Sequence, residues 1–179
     1  SVLSDMFENK NDNGGGNFSF SSTKQLSNKT FEADRQVFVD MFAKAQVASD
    51  SAMNNVTAQN GKPGILLRNS GNKMLVDELG HEFTQELEKG LMGAVFYNQI
   101  VNTYLTADEI GDAVDNTTTI DGKNYTDMEH HFDEAFGYFG APINFKSNYT
   151  SSETPRFWAD YSNDYDGLTG LNDRLMIPF

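Results

Sequence analysis

Two adjacent histidines set among carboxylates are the residues of this chain best suited to chemistry. His130 and His131 lie in Thr126-Asp-Met-Glu-His-His-Phe-Asp-Glu-Ala-Phe-Gly-Tyr-Phe-Gly140, which also holds Asp127, Glu129, Asp133 and Glu134. The third histidine, His81, stands near Asp77, Glu78, Gln85 and Glu88. Imidazole nitrogens mixed with carboxylate oxygens suit iron or zinc, so His131, Glu134, His130 and His81 are the candidate metal ligands. Glu78-x-x-His81 matches half of the pattern of di-iron helical bundles, and Asp127-x-x-His130 would be an imperfect second half. The plainer alternative is a solvated acidic helix face on which each histidine pairs with a neighbouring carboxylate. Hydrolysis has less support. His81-Glu-Phe-Thr-Gln85 has Gln where a zinc protease needs its second His, and the chain carries neither a Gly-x-Ser-x-Gly elbow nor a phosphate loop. No catalytic residue is assigned. Ser162-Asn-Asp164-Tyr-Asp166-Gly167, followed by Asp173, resembles a calcium loop with poor first and last ligands, making Asp164 and Asp166 calcium candidates.

The elements that must position these residues are mostly helical. Thr126 followed by Glu129 is a capping box, and Met128, Phe132, Ala135, Phe136 and Phe139 recur on one face. This predicts a helix from Asp127 to about Phe139, ended by Gly140. A second helix is predicted from about Met74 to Leu105, with an apolar face of Leu75, Leu79, Phe83, Leu87, Leu91, Ala94, Val101 and Leu105. Gly80, Gly90 and Gly93 interrupt it, marking either a close neighbouring helix or a kink. A third runs from about Thr30 to Val56. Ile65-Leu66-Leu67 reads as a short extended piece, Thr106-Ala-Asp-Glu109 as the start of a short helix, and Asp121-Gly122 as a tight turn. Ser151 to Tyr161 reads as a short helix with Pro155 in its first turn, Ser162 to Gly170 as loop, and Leu171 onward as a further helix. Asn9 to Ser22 is an Asn/Gly-rich linker. The expected fold is mainly α, an irregular bundle around one long central helix with long loops.

Composition narrows the partners. The 179 residues carry 26 acidic against 13 basic side chains, a net charge of −13. Phosphate backbones need a basic footprint, so nucleic acid is excluded as a partner. An acidic protein attracts cations, although solubility alone accounts for acidity as well. Cysteine is absent, which removes disulfides and thiolate ligands. The length suits a single helical domain over residues 1–179. Val2-Leu-Ser-Asp-Met-Phe7 reads as the last turns of a helix and Leu175-Met-Ile-Pro-Phe179 as an apolar run without a cap. Both point to a piece of a longer protein.

Leu87-Glu-Lys-Gly-Leu-Met-Gly-Ala94 and Tyr125-Thr-Asp-Met-Glu-His-His-Phe-Asp-Glu-Ala-Phe-Gly-Tyr138 carry a resemblance. Over about Phe31 to Asp160 the chain resembles a family of bacterial envelope lipoproteins of uncharacterised function. That family is in turn similar to the imelysin-like, iron-regulated proteins, whose mark is Gly-x-His-x-x-Glu. Here His131-Phe-Asp-Glu134 matches the His-x-x-Glu, while Glu129 replaces the Gly. The resemblance implies an α-helical protein at the cell envelope, outer membrane or surface of a Gram-negative bacterium. It would be held by a lipid anchor outside these residues, with His131 and Glu134 as metal ligands. The expected function is that of a non-enzymatic lipoprotein linked to acquisition of iron or another metal. One alternative is a surface interaction subunit of an outer-membrane protein assembly with a structural His cluster. The other is a metal-dependent hydrolase of imelysin type.

Overall fold

The structure is a computed structural model and describes residues 2–10, 22–147, 149–150 and 154–177. The fold is mainly α, as the periodicity predicts: the described residues form eight α-helices and one two-stranded sheet. Two compact units are distinguished within the chain, Ser1–Val95 and Phe96–Phe179. Of the linker expected over residues 9–22, residues 11–21 lie outside the described residues. Its two described ends are tied together, because the Asn9 side-chain amide donates to the Ser22 carbonyl and, at 2.8 Å, to the Lys24 carbonyl.

The first unit contains α1 (Val2–Phe7), α2 (Leu26–Lys29), α3 (Arg35–Met53), the hairpin of β1 (Gly64–Leu67) and β2 (Lys73–Val76), and α4 (Phe83–Leu91). Its core gathers Phe7, Phe38, Phe42 and Ala94, with Met41, Leu87 and Leu91 packed around them. Phe7 meets Phe42 edge-on at 5.3 Å, a favoured arrangement of aromatic quadrupoles. The helix expected from Thr30 begins later, at Arg35, because its first residues are engaged elsewhere. The Thr30 hydroxyl donates back to the Leu26 carbonyl and the Phe31 N–H donates to the Ala94 carbonyl.

The helix expected from Met74 is also shorter than its apolar pattern. Met74–Val76 instead pair antiparallel with Gly64–Leu66. Leu75 and Leu79, four apart, fit a helical stripe. The β-branched and apolar run on both sides of the Arg68–Asn72 turn fits a hairpin equally well, and pairing prevails. The Asp77 carboxylate then accepts the N–H groups of Leu79 and His81, both at 2.9 Å, and Gly80 takes φ +91° in the turn. Of the predicted helix glycines, Gly90 marks a close approach. A Cβ there would lie 3.1 Å from the Phe38 ring of α3, whereas one at Gly93 would meet nothing within 4 Å. Beyond Leu91 the helix continues with widened, π-type turns over Met92–Tyr97 and Ile100–Tyr104.

The second unit contains the Ile100–Tyr104 turn, α5 (Ala107–Ile110), α6 (Asp127–Phe139), α7 (Phe157–Thr169) and α8 (Leu171–Met176). Within it α6 packs against the Ile100–Tyr104 turn, α5 and α7. Both ends of α6 are as the sequence specifies. The Thr126 hydroxyl accepts the Glu129 N–H, the Glu129 carboxylate accepts the Thr126 N–H at 2.8 Å, and Gly140 closes the helix at φ +87°. Thr126 also donates to the Asn116 side chain at 2.8 Å, and Thr119 and Thr126 form a small bridge across the Asp121-Gly122 turn.

The C-terminal third corrects two expectations. Pro155 lies before α7 rather than in its first turn, and the expected loop over Ser162 to Gly170 is helical up to Thr169. Ser162, Asn163 and Asp166, polar residues that suggested a loop, instead bond to Asn172. Asn172 is fully buried: its N–H donates to the Asp166 carboxylate at 2.9 Å and its side chain takes the Ser162 hydroxyl at 2.7 Å and donates to Asn163 at 3.0 Å. The calcium reading of Asp164 and Asp166 fails for the same reason. A calcium loop must curl its alternate residues around the ion, whereas here these residues are helical. Asp166 is buried against the Asn172 N–H and Asp164 is exposed.

Two stability effects are expected and both are measured by urea unfolding. Thr126→Ala removes a cap and should cost about 1 kcal/mol, with Thr126→Ser recovering most of it. Asn172→Ala strips partners from buried Ser162 and half-buried Asn163 and should cost about 1–3 kcal/mol.

Candidate functional site

Residues at three- and four-residue steps share a helix face, so α6 carries its imidazoles and carboxylates along one side of the second unit. The side chain of His131 is 19% exposed, with Nδ1 2.9 Å from the Glu109 Oε2 and 3.4 Å from the Glu109 carbonyl oxygen. Two oxygens of one residue thus face Nδ1, and a neutral ring protonated there would leave Nε2 as its lone-pair nitrogen. His130, whose Nε2 is 3.9 Å from the Glu134 Oε1, stacks on Tyr125 at 5.3 Å with the rings 18° from parallel. The two imidazoles are 6.0 Å apart.

Tyr104, from the widened turn, joins these couples. It stacks on Tyr138 at 5.8 Å and lies 6.2 Å from the His131 ring. Burial holds its phenol above the usual 10.0, assisted by the charge of Glu134, a hydrogen bond to that carboxylate and the charge of Glu109. The phenol therefore stays a neutral donor to Glu134. Beside this array opens a cleft of about 480 Å³, lined by Phe96, His130, Asp133, Glu134, Tyr138 and Phe157, with Gly137 at its wall.

His131 and Glu134, the pair carried over by resemblance, are thus divided between two couples, His131 with Glu109 and His130 with Glu134. Among the described residues no group of three or more His, Asp or Glu side chains is disposed to hold a metal ion. The donors come in twos. Glu109, Tyr104 and Tyr125 were not singled out from the sequence. The only signal for Glu109 was its place in the short helix after Thr106, and nothing local marked the two tyrosines.

Phe157 is strained. It opens α7 with φ +54° and remains 40% exposed, a conformation costing an aromatic residue about 1–3 kcal/mol. Gly140 makes it feasible: a Cβ on Gly140 would fall 2.4 Å from the Arg156 carbonyl oxygen and 3.0 Å from the Phe157 ring.

His81 belongs to the first unit and lies in the turn before α4, not on a helix. Glu78 shares that turn, so Glu78-x-x-His81 does not form the helical half-site of a di-iron bundle. His81 Nδ1 is 3.0 Å from the Asp77 Oδ2. That oxygen has no hydrogen-bond partner by angle, so the contact is an ion-pair approach off the hydrogen-bond line. Burial raises the Asp77 carboxyl, but the N–H groups of His81 and Leu79, with the nearby imidazole, outweigh it and hold it below its ordinary 3.8. The folded state therefore takes up this proton less readily than the unfolded chain. Asp77's contribution is complete above the unfolded value and is lost as pH falls through the folded one. Asp77→Asn should flatten the loss of stability on acidification below 3.8, as read by urea midpoints across that range.

No helix among the described residues is long and apolar enough to cross a membrane. No curated protein and no solved structure matches the chain. A family model matches residues 6–176, nearly the whole sequence, and the chain belongs to the family described as Domain of unknown function (DUF4856).

Proposed function

We propose that this chain is a non-enzymatic, lipid-anchored protein of the Gram-negative cell envelope that captures a metal cation, iron foremost, on the polar face of α6. The observation that carries this reading is the His131–Glu109 couple, at 2.9 Å. An imidazole whose Nδ1 is turned to a carboxylate has its Nε2 oriented, the usual outer-shell arrangement of a metal-ligating histidine. His130 and Glu134 stand alongside, and the net charge of −13 favours approach of cations. The envelope location and the iron preference come from the resemblance carried by His131-Phe-Asp-Glu134. Because the donors are paired, the ion is best read as cargo that keeps waters or another chelator's atoms in its remaining positions. Structural zinc would need four protein donors.

Calorimetric titration of the 179-residue chain with ferrous, ferric-citrate and zinc ions tests the proposal. Saturable binding is expected, weakened at least tenfold by His131→Ala and by Glu109→Gln. Absence of binding, or affinity unchanged in His131→Ala and Glu134→Ala, would sink it.

A second reading, a subunit of an outer-membrane protein assembly, is favoured by apolar side chains left in water on the first unit. Met53, Leu67 and Leu79 are all strongly exposed, an arrangement common at protein interfaces when such residues are contiguous. Crosslinking in intact envelopes should then return one defined partner that is lost in Leu67→Lys and Leu79→Lys. A monomer with no crosslinked product speaks against this reading.

A further inference from the structure

The cleft beside α6 has walls of two chemistries. Phe96, Tyr138 and Phe157 bring aromatic rings, and Asp133 and Glu134 bring carboxylates. The rings form one cluster, with Phe96 5.8 Å from Tyr138 and 4.4 Å from Phe157. Phe157 is held there in a left-handed backbone conformation and 40% exposed, instead of joining the Phe139–Phe145 core of the same unit. Strain kept at a partly open aromatic residue is a mark of a binding surface.

Each ligand class can be weighed against these walls. An anion would face two carboxylates. A bare metal ion finds no lone pairs on phenyl rings, and the described carboxylates and imidazoles do not form a three-donor set. A neutral apolar molecule would desolvate Asp133 and Glu134 without compensation. An ammonium group on an apolar chain satisfies both walls, since aromatic faces attract cations and bury methylenes while the carboxylates accept its N–H groups. We infer that the cleft binds a primary alkylammonium, the chemistry of a lysine side chain or an aliphatic amine. This site uses Asp133 and the rings; it shares His130 and Glu134 with the metal reading, whose leading donor His131 and its partner Glu109 do not line the cleft.

Gly137 supplies a clean block. It lies at the cleft wall in the middle of α6, and a Cβ added there meets nothing within 4 Å. Substitution there is therefore free of clash at Cβ beside the cleft, and replacing a helical glycine favours the helix. Hexylammonium is the probe, titrated by NMR into the 179-residue chain at low salt, with 1-hexanol as the neutral control. Saturable binding of hexylammonium is expected, at least tenfold stronger than hexanol. Gly137→Leu should abolish it, Asp133→Asn and Phe157→Ala should weaken it severalfold, and His131→Ala should leave it unchanged. Circular dichroism confirms that each variant is folded. Hexanol binding as well as the amine, or Gly137→Leu and Asp133→Asn both binding like the parent, overturns the inference. Loss of metal binding in His131→Ala with amine binding intact separates this site from the metal reading, so either can fail alone.

Discussion

The reciprocal hydrogen bonds between Thr126 and Glu129 fix the start of α6, and through it the placement of the α6 side chains of the candidate site. Once the first turn is set, the 3.6-residue repeat determines that His130, His131 and Glu134 lie on the polar side and Ala135 and Phe139 inside. The other end is equally constrained. Gly140 adopts a left-handed conformation that ends the helix, and it leaves space for the Arg156 carbonyl and the Phe157 ring. Two local devices, thirteen residues of helix apart, thus define both the imidazole array and one aromatic wall of the cleft.

The electrostatic design is one of pairing rather than convergence. His131 faces Glu109, His130 faces Glu134, and in the other unit His81 faces Asp77. Each imidazole has a carboxylate neighbour in a chain with twice as many acids as bases. Such couples orient rings without enclosing an ion. Tyr104, kept neutral by burial and by the carboxylate beside it, is the bridge between the two couples of the second unit.

Much of this was legible in the residues, unevenly. The α6 helix could be read in full because its signals are local: a capping box, a clean apolar stripe and a terminal glycine. The extended Ile65–Leu67 piece and the short helix after Thr106 were also readable. Met74–Val76 misled because an apolar pair four apart fits a helix and a hairpin alike, and only pairing with residues eight to twelve positions earlier decides between them. Ser162–Gly170 misled for the opposite reason. Its Asn, Asp and Gly residues have turn propensity, and what makes them helical is the buried Asn172, whose partners lie up to 26 positions away. The site partners Glu109 and Tyr104 were hidden for a similar reason. Nothing within their own segments announces that they meet α6.

The widened turn at Ile100–Tyr104 closes with the Leu105 N–H on the Ile100 carbonyl at 2.9 Å. A turn of this kind holds one residue more than an α turn. Each helical residue advances the chain by about 100° around the axis, so the extra residue swings Tyr104 around to where it stacks on Tyr138. Tyr104's place is thus written as an insertion: excising a single residue here would restore an ordinary helix and rotate the phenol away from Glu134. In evolutionary terms, gaining or losing this tyrosine bridge is a one-codon change in length, with no substitution at Glu109, His131 or Glu134 required.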